Sequence, residues 1–372
     1  MDTQMKVICD GLDLADAVLK VIKATATRTT NPILEGIKLV AENDCLKLSA
    51  TDLELMIETK IKADVKLEGT VVVPGKFFSE YVRKLTNEQI TLEVSENNQL
   101  KLAYTDSVGY MQCLNAEEFP NIQKISNEQY FEISKDDFVD AINKTIFSVS
   151  LDDARPLFKG CFFEVGEKSV NVVALDGYRM SIAKKPILYA TSEAKFVVPA
   201  KSLAEITKVI DDKDESIKVF FQKQYVMIEQ EGAVIISRLL DGEFINYNNL
   251  ITSGDFTTIT TVNKKQLEEA LDRTSLLARV ERNNIAKFEI KDKTLAISSN
   301  SEIGNIHENV TISLNGVDLT TAFNSRYFIE CLKVVNDEFI TLNFTTPIAP
   351  CIIKPFEGDD YLFLILPVRI VA

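Results

Sequence analysis

The chain has 372 residues, 46% hydrophobic and 26% charged, with a formal net charge of −14. That is the composition of a folded soluble protein with enough length for two or three cores, and the excess of acid argues against coating DNA or an anionic membrane by net attraction. No apolar run reaches the roughly 20 residues of a bilayer span. The start, MDTQMKVICDG, lacks the basic and apolar regions of a signal peptide. Cys9, Cys45, Cys113, Cys161, Cys331 and Cys351 form no CxxC pair, so reduced, mostly buried thiols in a cytoplasmic protein are expected.

In chain order, a helix-like stretch begins at Leu14 (LADAVLKVI) and leads into two β-like segments around a polar turn, IKLVAENDCLKLSA. A second helix, GKFFSEYVRKL, and a hairpin, ITLEVSENNQLKLAY, follow. The same succession returns from Phe138 as FVDAINKTI, CFFEVGEKSVNVVA, AKSLAEITKVI and IKVFFQKQYVMIEQ. It returns again from Leu267 as LEEALDRTS, KFEIKDKTLAISS, SRYFIECLKVV and ITLNFTTPIAPCII. Leu14, Phe138 and Leu267 align, as do Ala17, Ala141 and Ala270, and Val18, Ile142 and Leu271; that spacing is one apolar helix face. Ser134 to Asp137 opens the middle helix with a capping-box pattern. Asp52, Asp176 and Asn300 recur at the ends of the β pairs, and Lys76, Lys201 and Arg326 at the starts of the second helices. A period near 125 predicts three copies of one α+β domain, bounded at 1–125, 126–252 and 253–372.

On the second helices Phe78, Leu203 and Phe328 mark the buried face, with the basic residues roughly opposite. Lys20, Lys144 and Arg273 coincide beside the buried stripe of the first helices. Glu80, Glu205 and Glu330 stand among these cations, so ion pairing on a solvated face is the plain alternative. Taken as 13–28, 76–88, 135–148, 200–213, 263–282 and 325–337, the six helix segments carry a net +2 while the rest carries −16. A polyanion would meet its least repulsion along the helices, through loose, salt-sensitive contacts.

Signs of catalysis are lacking. PGKF at 74–77 is no Walker A sequence, no GxGxxG follows a strand, and the one histidine, His307, reads as an incidental surface residue. Asp152-Asp153 and Asp359-Asp360 read as solvated loops rather than metal sites. The expectation is a protein that is not an enzyme, with no catalytic residue, metal or cofactor. One stretch stands out: ALDGYRMSIA at 174–183, an Asp-Gly turn followed by an aromatic, a guanidinium and a thioether.

With GEFINYNNLI at 242–251, a terminal LPVRI at 366–370, RTTNPILEG at 28–36 and DDARPLFKG at 152–160, the threefold repeat resembles the β sliding clamp of bacterial DNA polymerase III along its whole length. The resemblance implies a head-to-tail homodimeric ring around double-stranded DNA, with sheets outside and helices lining the hole. It implies DNA contacts at Arg28, Lys201, Asn324 and Tyr327; the helix faces add Lys76, Arg83, Lys208, Arg279, Arg282, Arg326 and Lys333. It also implies an apolar peptide-binding cleft at Phe158, Leu175, Gly177, Tyr178, Arg179, Met180, Leu250, Leu364, Leu366, Pro367, Val368 and Arg369, where Met180 would be an adaptable lining residue. The implied partners there are the polymerase III alpha subunit, the clamp loader, and other DNA polymerases and repair proteins. The dimer interface would use Tyr110 and Leu114 against Leu276 and Leu277. Ile245, Asn248-Asn249, Tyr178 and the extension Val371-Ala372 depart from the family's usual pattern. A non-DNA scaffold of three repeats that binds peptides is the alternative; a hydrolase or transferase built on Asp176 and Arg179 is a second rival without a partner base.

Overall fold

The computed structural model describes residues 3–85, 88–121, 127–210, 215–230, 232–251, 256–279 and 284–369. Among them are six α-helices: α1 (Gly11–Val21), α2 (Gly75–Val82), α3 (Lys135–Asn143), α4 (Ala200–Val209), α5 (Lys264–Ala278) and α6 (Ser325–Lys333). The aligned apolar positions are the ones that bury: Leu14, Phe138 and Leu267, with Phe78, Leu203 and Phe328, are all at most 3% exposed. Side-chain caps fix three helix starts by accepting from otherwise unsatisfied backbone amides. Asp10 accepts from the N–H groups of Leu12 and Asp13, Asn263 from Gln266 and Asn324 from Arg326. No helix among the described residues is long and apolar enough to cross a membrane. All six cysteines are free of disulfides, and burial pushes the Cys9 and Cys161 thiols up to about 12.

Each repeat holds more strand than the sequence pattern shows. A strand precedes the first helix (Thr3–Asp10, Tyr130–Ser134, Thr258–Asn263), and two more run between the first β pair and the second helix, with a short third, Tyr189–Ala190, in the middle repeat. These extra strands are Leu55–Leu67 and Gly69–Pro74, Arg179–Pro186 and Ala194–Pro199, and Gly304–Gly316 and Leu319–Asn324. A third strand, Ser107–Gln112, Ala233–Arg238 or Tyr361–Ile365, completes each closing hairpin. The helices are correspondingly shorter than expected, by up to seven residues at the C-terminal end. With the observed bounds they contain ten basic and eleven acidic residues, so the expected surplus of positive charge belongs to residues outside these helix bounds.

The chain forms two compact units, residues 1–135, 188–192 and 201–239, and residues 136–187, 193–200 and 240–372. Neither follows the repeat period, because each takes one terminal repeat and part of the middle one. Backbone hydrogen bonding explains the division. In the first unit Ala233–Arg238 adds antiparallel to the start of Leu55–Leu67, with Ser237 opposite Leu55 and Ala233 opposite Thr59, in a thirteen-stranded sheet. In the second unit Tyr361–Ile365 adds in the same way to the start of Arg179–Pro186, with Ile365 opposite Arg179, in a twelve-stranded sheet.

Candidate peptide cleft and nucleic-acid interface

The Asp-Gly turn at 176–177 links strands Ser169–Leu175 and Arg179–Pro186, whose pairing sets Leu175 opposite Met180. Asp176 Oδ1 accepts from the N–H groups of Tyr178 at 2.8 Å and Arg179 at 3.0 Å, an Asx turn that leaves Tyr178 64% exposed at the tip. Gly177 has φ +95°, and a Cβ there would lie 2.7 Å from Arg155 Nη1, so the turn requires glycine. Leu175 and Met180 turn inward and join Phe162, Val173, Ile182, Val197, Tyr247 and Leu364 in one apolar cluster; half-buried Phe158 packs against it. Four of the expected cleft residues, Phe158, Leu175, Met180 and Leu364, therefore meet. Met180 is only 2% exposed, which makes it floor and not an adaptable lining.

Leu250, exposed, ends the short turn Tyr247–Leu250 beside cluster members Tyr247 and Ile251. Leu366 N–H donates to the Tyr178 carbonyl at 2.9 Å and Val368 N–H to that of Ala322 at 2.8 Å, so the chain runs from the hairpin to the edge strand Leu319–Asn324. Pro367 and Val368 are half-buried, and Arg369 is exposed. The tail from Ile370 to Ala372 lies outside the described residues. Sequence reasoning missed Leu157, Phe162, Phe244 and Tyr247, all part of this cluster. The Phe162 and Phe244 rings stack at 4.7 Å, and the Tyr247 hydroxyl donates to Glu164. The aromatics of GEFINYNNLI were the available signal.

Arg179 corrects the expectation for the cleft, because its guanidinium does not face it. Successive side chains on a strand alternate, so with Met180 in the apolar cluster Arg179 points to the opposite face, where α6 packs. It is 7% exposed. Nε donates to Asp176 at 3.1 Å, Nη1 to Glu330 and Nη2 to the Phe147 carbonyl. The guanidinium also lies 5.4 Å from the Phe147 ring centroid and 4.6 Å from that of Tyr327. A charge so far from water needs this full set of partners. Burial of the Glu330 carboxyl works to raise its pKa, but hydrogen bonds from Arg326 and Arg179 outweigh it and hold the group below the usual range.

Of the expected DNA-contacting residues, Arg28, Lys76, Arg83, Lys201, Lys208, Arg279, Arg326 and Lys333 are exposed, and Arg282 lies outside the described residues. Lys201 pairs with Asp52 at 2.6 Å, Lys208 with Glu205 at 2.8 Å and Arg326 with Glu330 at 2.7 Å. Arg28, Lys76, Arg83, Arg279 and Lys333 have no carboxylate partner among the described residues. Arg279, Arg326 and Lys333 converge with Glu330 on a pocket of about 350 Å³ beside α5 and α6. Asn324 and Tyr327 are half-buried: Asn324 caps α6, and Tyr327 packs against Arg179. Lys144 departs from the outward-facing set. It is buried, pairs with Asp140 at 2.6 Å and lies 5.3 Å from the Tyr361 ring centroid.

Tyr110, 60% exposed, lies on Ser107–Gln112, the last strand of its sheet, and Leu276 on α5 is 62% exposed. Leu114 and Leu277 are half-buried. Phe77, exposed and stacked 6.2 Å from Tyr81, is a surface aromatic of the first unit that sequence reasoning passed over. His307 is exposed on its strand, and no group of metal-ligating side chains occurs among the described residues.

Family models of the DNA polymerase III beta subunit match the chain three times: the N-terminal domain at residues 5–123, the central domain at 132–246 and the C-terminal domain at 252–369. The beta sliding clamp of Bacillus subtilis (strain 168) is 32% identical over 96% of this chain and 97% of its own length. That of Halalkalibacterium halodurans is 31% identical over 94% and 95%. The crystal structure of the Bacillus subtilis DNA polymerase sliding clamp superposes with a TM-score of 0.95 at 31% identity, covering 99% of this chain and 100% of that one. The DNA polymerase III beta subunit of Thermotoga maritima gives 0.92 at 29% identity, covering 99% and 100%. The chain thus belongs to the DNA polymerase III beta subunit family, the sliding clamps, which are non-catalytic processivity subunits of DNA polymerase.

Proposed function

We propose that two copies of this chain close head to tail into a ring that encircles double-stranded DNA, and that the apolar cluster of the second unit docks replication partners through short peptides. The observation that carries this reading is a junction repeated twice within the chain. At 233–237 on 55–59 and at 361–365 on 179–183, the third strand of one repeat's closing hairpin adds to the fourth strand of the repeat before it. The same two elements remain at the ends of the series. Among the described residues Ser107–Gln112 pairs only through its inner edge, and no strand covers the outer side of 304–308. Exposed edges are templates for pairing, and a heterologous contact closes when its rotation allows.

Register follows from the repeat. Leu55 and Arg179 correspond to Ile303, and Ser237 to Met111, so Met111 would face the partner chain's Ile303 and Tyr110 its Gly304. Phe147, which packs 5.9 Å from Phe363, corresponds to Leu276, and Tyr327 to Phe77. Exposed Leu276 would then pack near the other chain's Phe77 and Gly109, the counterpart of Phe363. Bounds of 1–125, 126–252 and 253–372 describe the repeats that assemble in this way.

A topological link needs no tight contact, and eight exposed cations, five of them without a carboxylate partner among the described residues, suit loose phosphate contacts that permit sliding. The cleft has Tyr178 at its rim and Phe158, Leu175, Met180 and Leu364 beneath. It suits an extended peptide with apolar and aromatic anchors from the polymerase III alpha subunit, the clamp loader, other polymerases or repair proteins, all in the cytoplasm. Light scattering should give twice the chain mass. The protein, loaded on circular duplex DNA, should be released when the circle is cut. A monomer, or retention indifferent to free ends, would refute the ring.

A further inference from the structure

Glu330 serves two arginines that differ in exposure. Its Oε1 accepts from Arg326 Nε at 2.7 Å, and its Oε2 from buried Arg179 Nη1. The Arg326 side chain is 68% exposed and borders the 350 Å³ pocket with Arg279 and Lys333. Arg179 in turn holds Asp176, whose other oxygen accepts from the N–H groups of Tyr178 and Arg179 and shapes the hairpin at the cleft. One carboxylate thus joins a cation cluster on α6 to the turn that carries Tyr178.

We propose that Glu330 is a shared counter-ion coupling phosphate binding at Arg326 to the conformation of the Asp176–Arg179 hairpin, so that duplex DNA and a cleft peptide bind cooperatively. The proposal rests on the clamp reading above for the identity of its two ligands. A phosphate in the pocket competes with Glu330 for Arg326, because both are oxyanions seeking the same donors. It also repels the carboxylate, whose remaining cation is Arg179. Drawn fully onto Arg179, Glu330 confines the guanidinium and with it the Asx turn. A turn already confined loses less freedom when a peptide docks, so the peptide binds more tightly. By linkage the peptide strengthens DNA binding by the same factor.

The test measures the affinity of the full-length protein for a fluorescein-labelled peptide with leucine and phenylalanine anchors, with and without saturating 20-base-pair duplex at low salt. Duplex binding is followed separately by anisotropy. In the wild type the duplex should tighten the peptide about fivefold, the lower end of allosteric couplings. Arg326→Gln should bring the DNA-free affinity to that tighter value and abolish the response to duplex. Lys333→Gln should weaken the duplex yet keep the full response at saturation, which separates the shared carboxylate from general loss of charge. Glu330→Gln should also lose the response; if it does not fold, Arg326→Gln carries the test. Both ligands bound with unchanged or weaker peptide affinity, or a full response in Arg326→Gln, would overturn the coupling alone. Failure of the wild type to bind the peptide would overturn the cleft reading, and the coupling with it; failure to bind the duplex at low salt would overturn the phosphate contact at Arg326 and hence the coupling, while the ring stands or falls by the cut-circle test.

Discussion

Removing the Arg179 side chain is the most informative perturbation of the second unit. Arg179→Ala deletes three charge-assisted contacts and leaves Asp176 and the Phe147 carbonyl without their buried partner. Breaking a buried ion pair from one side costs about 3–5 kcal/mol, and loss of the cation–π contacts adds up to about 1 kcal/mol. Glu330 keeps Arg326 as a second partner and its side chain is 24% exposed, so the lower end applies: about 3 kcal/mol. For a unit of roughly 200 residues that is a fall in Tm of about 6–12 °C. Calorimetry at neutral pH reads it, together with urea unfolding followed for a constant slope. Replacing all three charges, Arg179→Leu and Glu330→Leu with Asp176→Asn to keep the Asx turn, should cost less than Arg179→Ala alone, since no buried charge is then stranded. If Arg179→Ala unfolds within about 0.5 kcal/mol of the wild type, as ordinary surface changes do, the guanidinium is no structural bolt and its place in the core has been misread.

Tyr178→Ala removes an exposed ring at the hairpin tip, so peptide affinity should fall about tenfold while the unfolding midpoint stays unchanged; equal losses in both would refute its place at the rim. Gly177→Ala forces a side chain into a left-handed turn beside Arg155 and should destabilise by about 1 kcal/mol or more, read as a lower urea midpoint. Acid should weaken the second unit in a defined direction. Hydrogen bonds from lysine or arginine hold Glu330 and Asp140 below their unfolded values despite burial, so their stabilisation is present above those values and lost as pH falls through the folded ones. Unfolding from pH 7 down to 3 should show that loss beginning near the unfolded glutamate value of 4.5, and Glu330→Gln should show less of it. Tyr110→Asp places a charge on the open edge strand and should shift the light-scattering mass towards one chain; an unaltered dimer would refute that edge as the contact.

Sequence alone determined the repeat and its cores. Helix-face residues such as Leu14, Phe138 and Leu267 need only the 3.6-residue period to be recognised, because burial of a helix stripe is a local property. The Asp-Gly turn at 176–177 was legible for the same reason, its geometry being set by Asp176 and Gly177 themselves. Only the tertiary structure decided which sheet each half of the middle repeat joins, and that Arg179 and Lys144 point inward. It also decided that Tyr327 packs against Arg179. Those outcomes depend on partners far along the chain: Glu330 lies 151 residues from Arg179, and Tyr361 more than 200 from Lys144. Local periodicity says that a strand has two faces. It cannot say what waits opposite each of them, and a buried charge is placed by that partner.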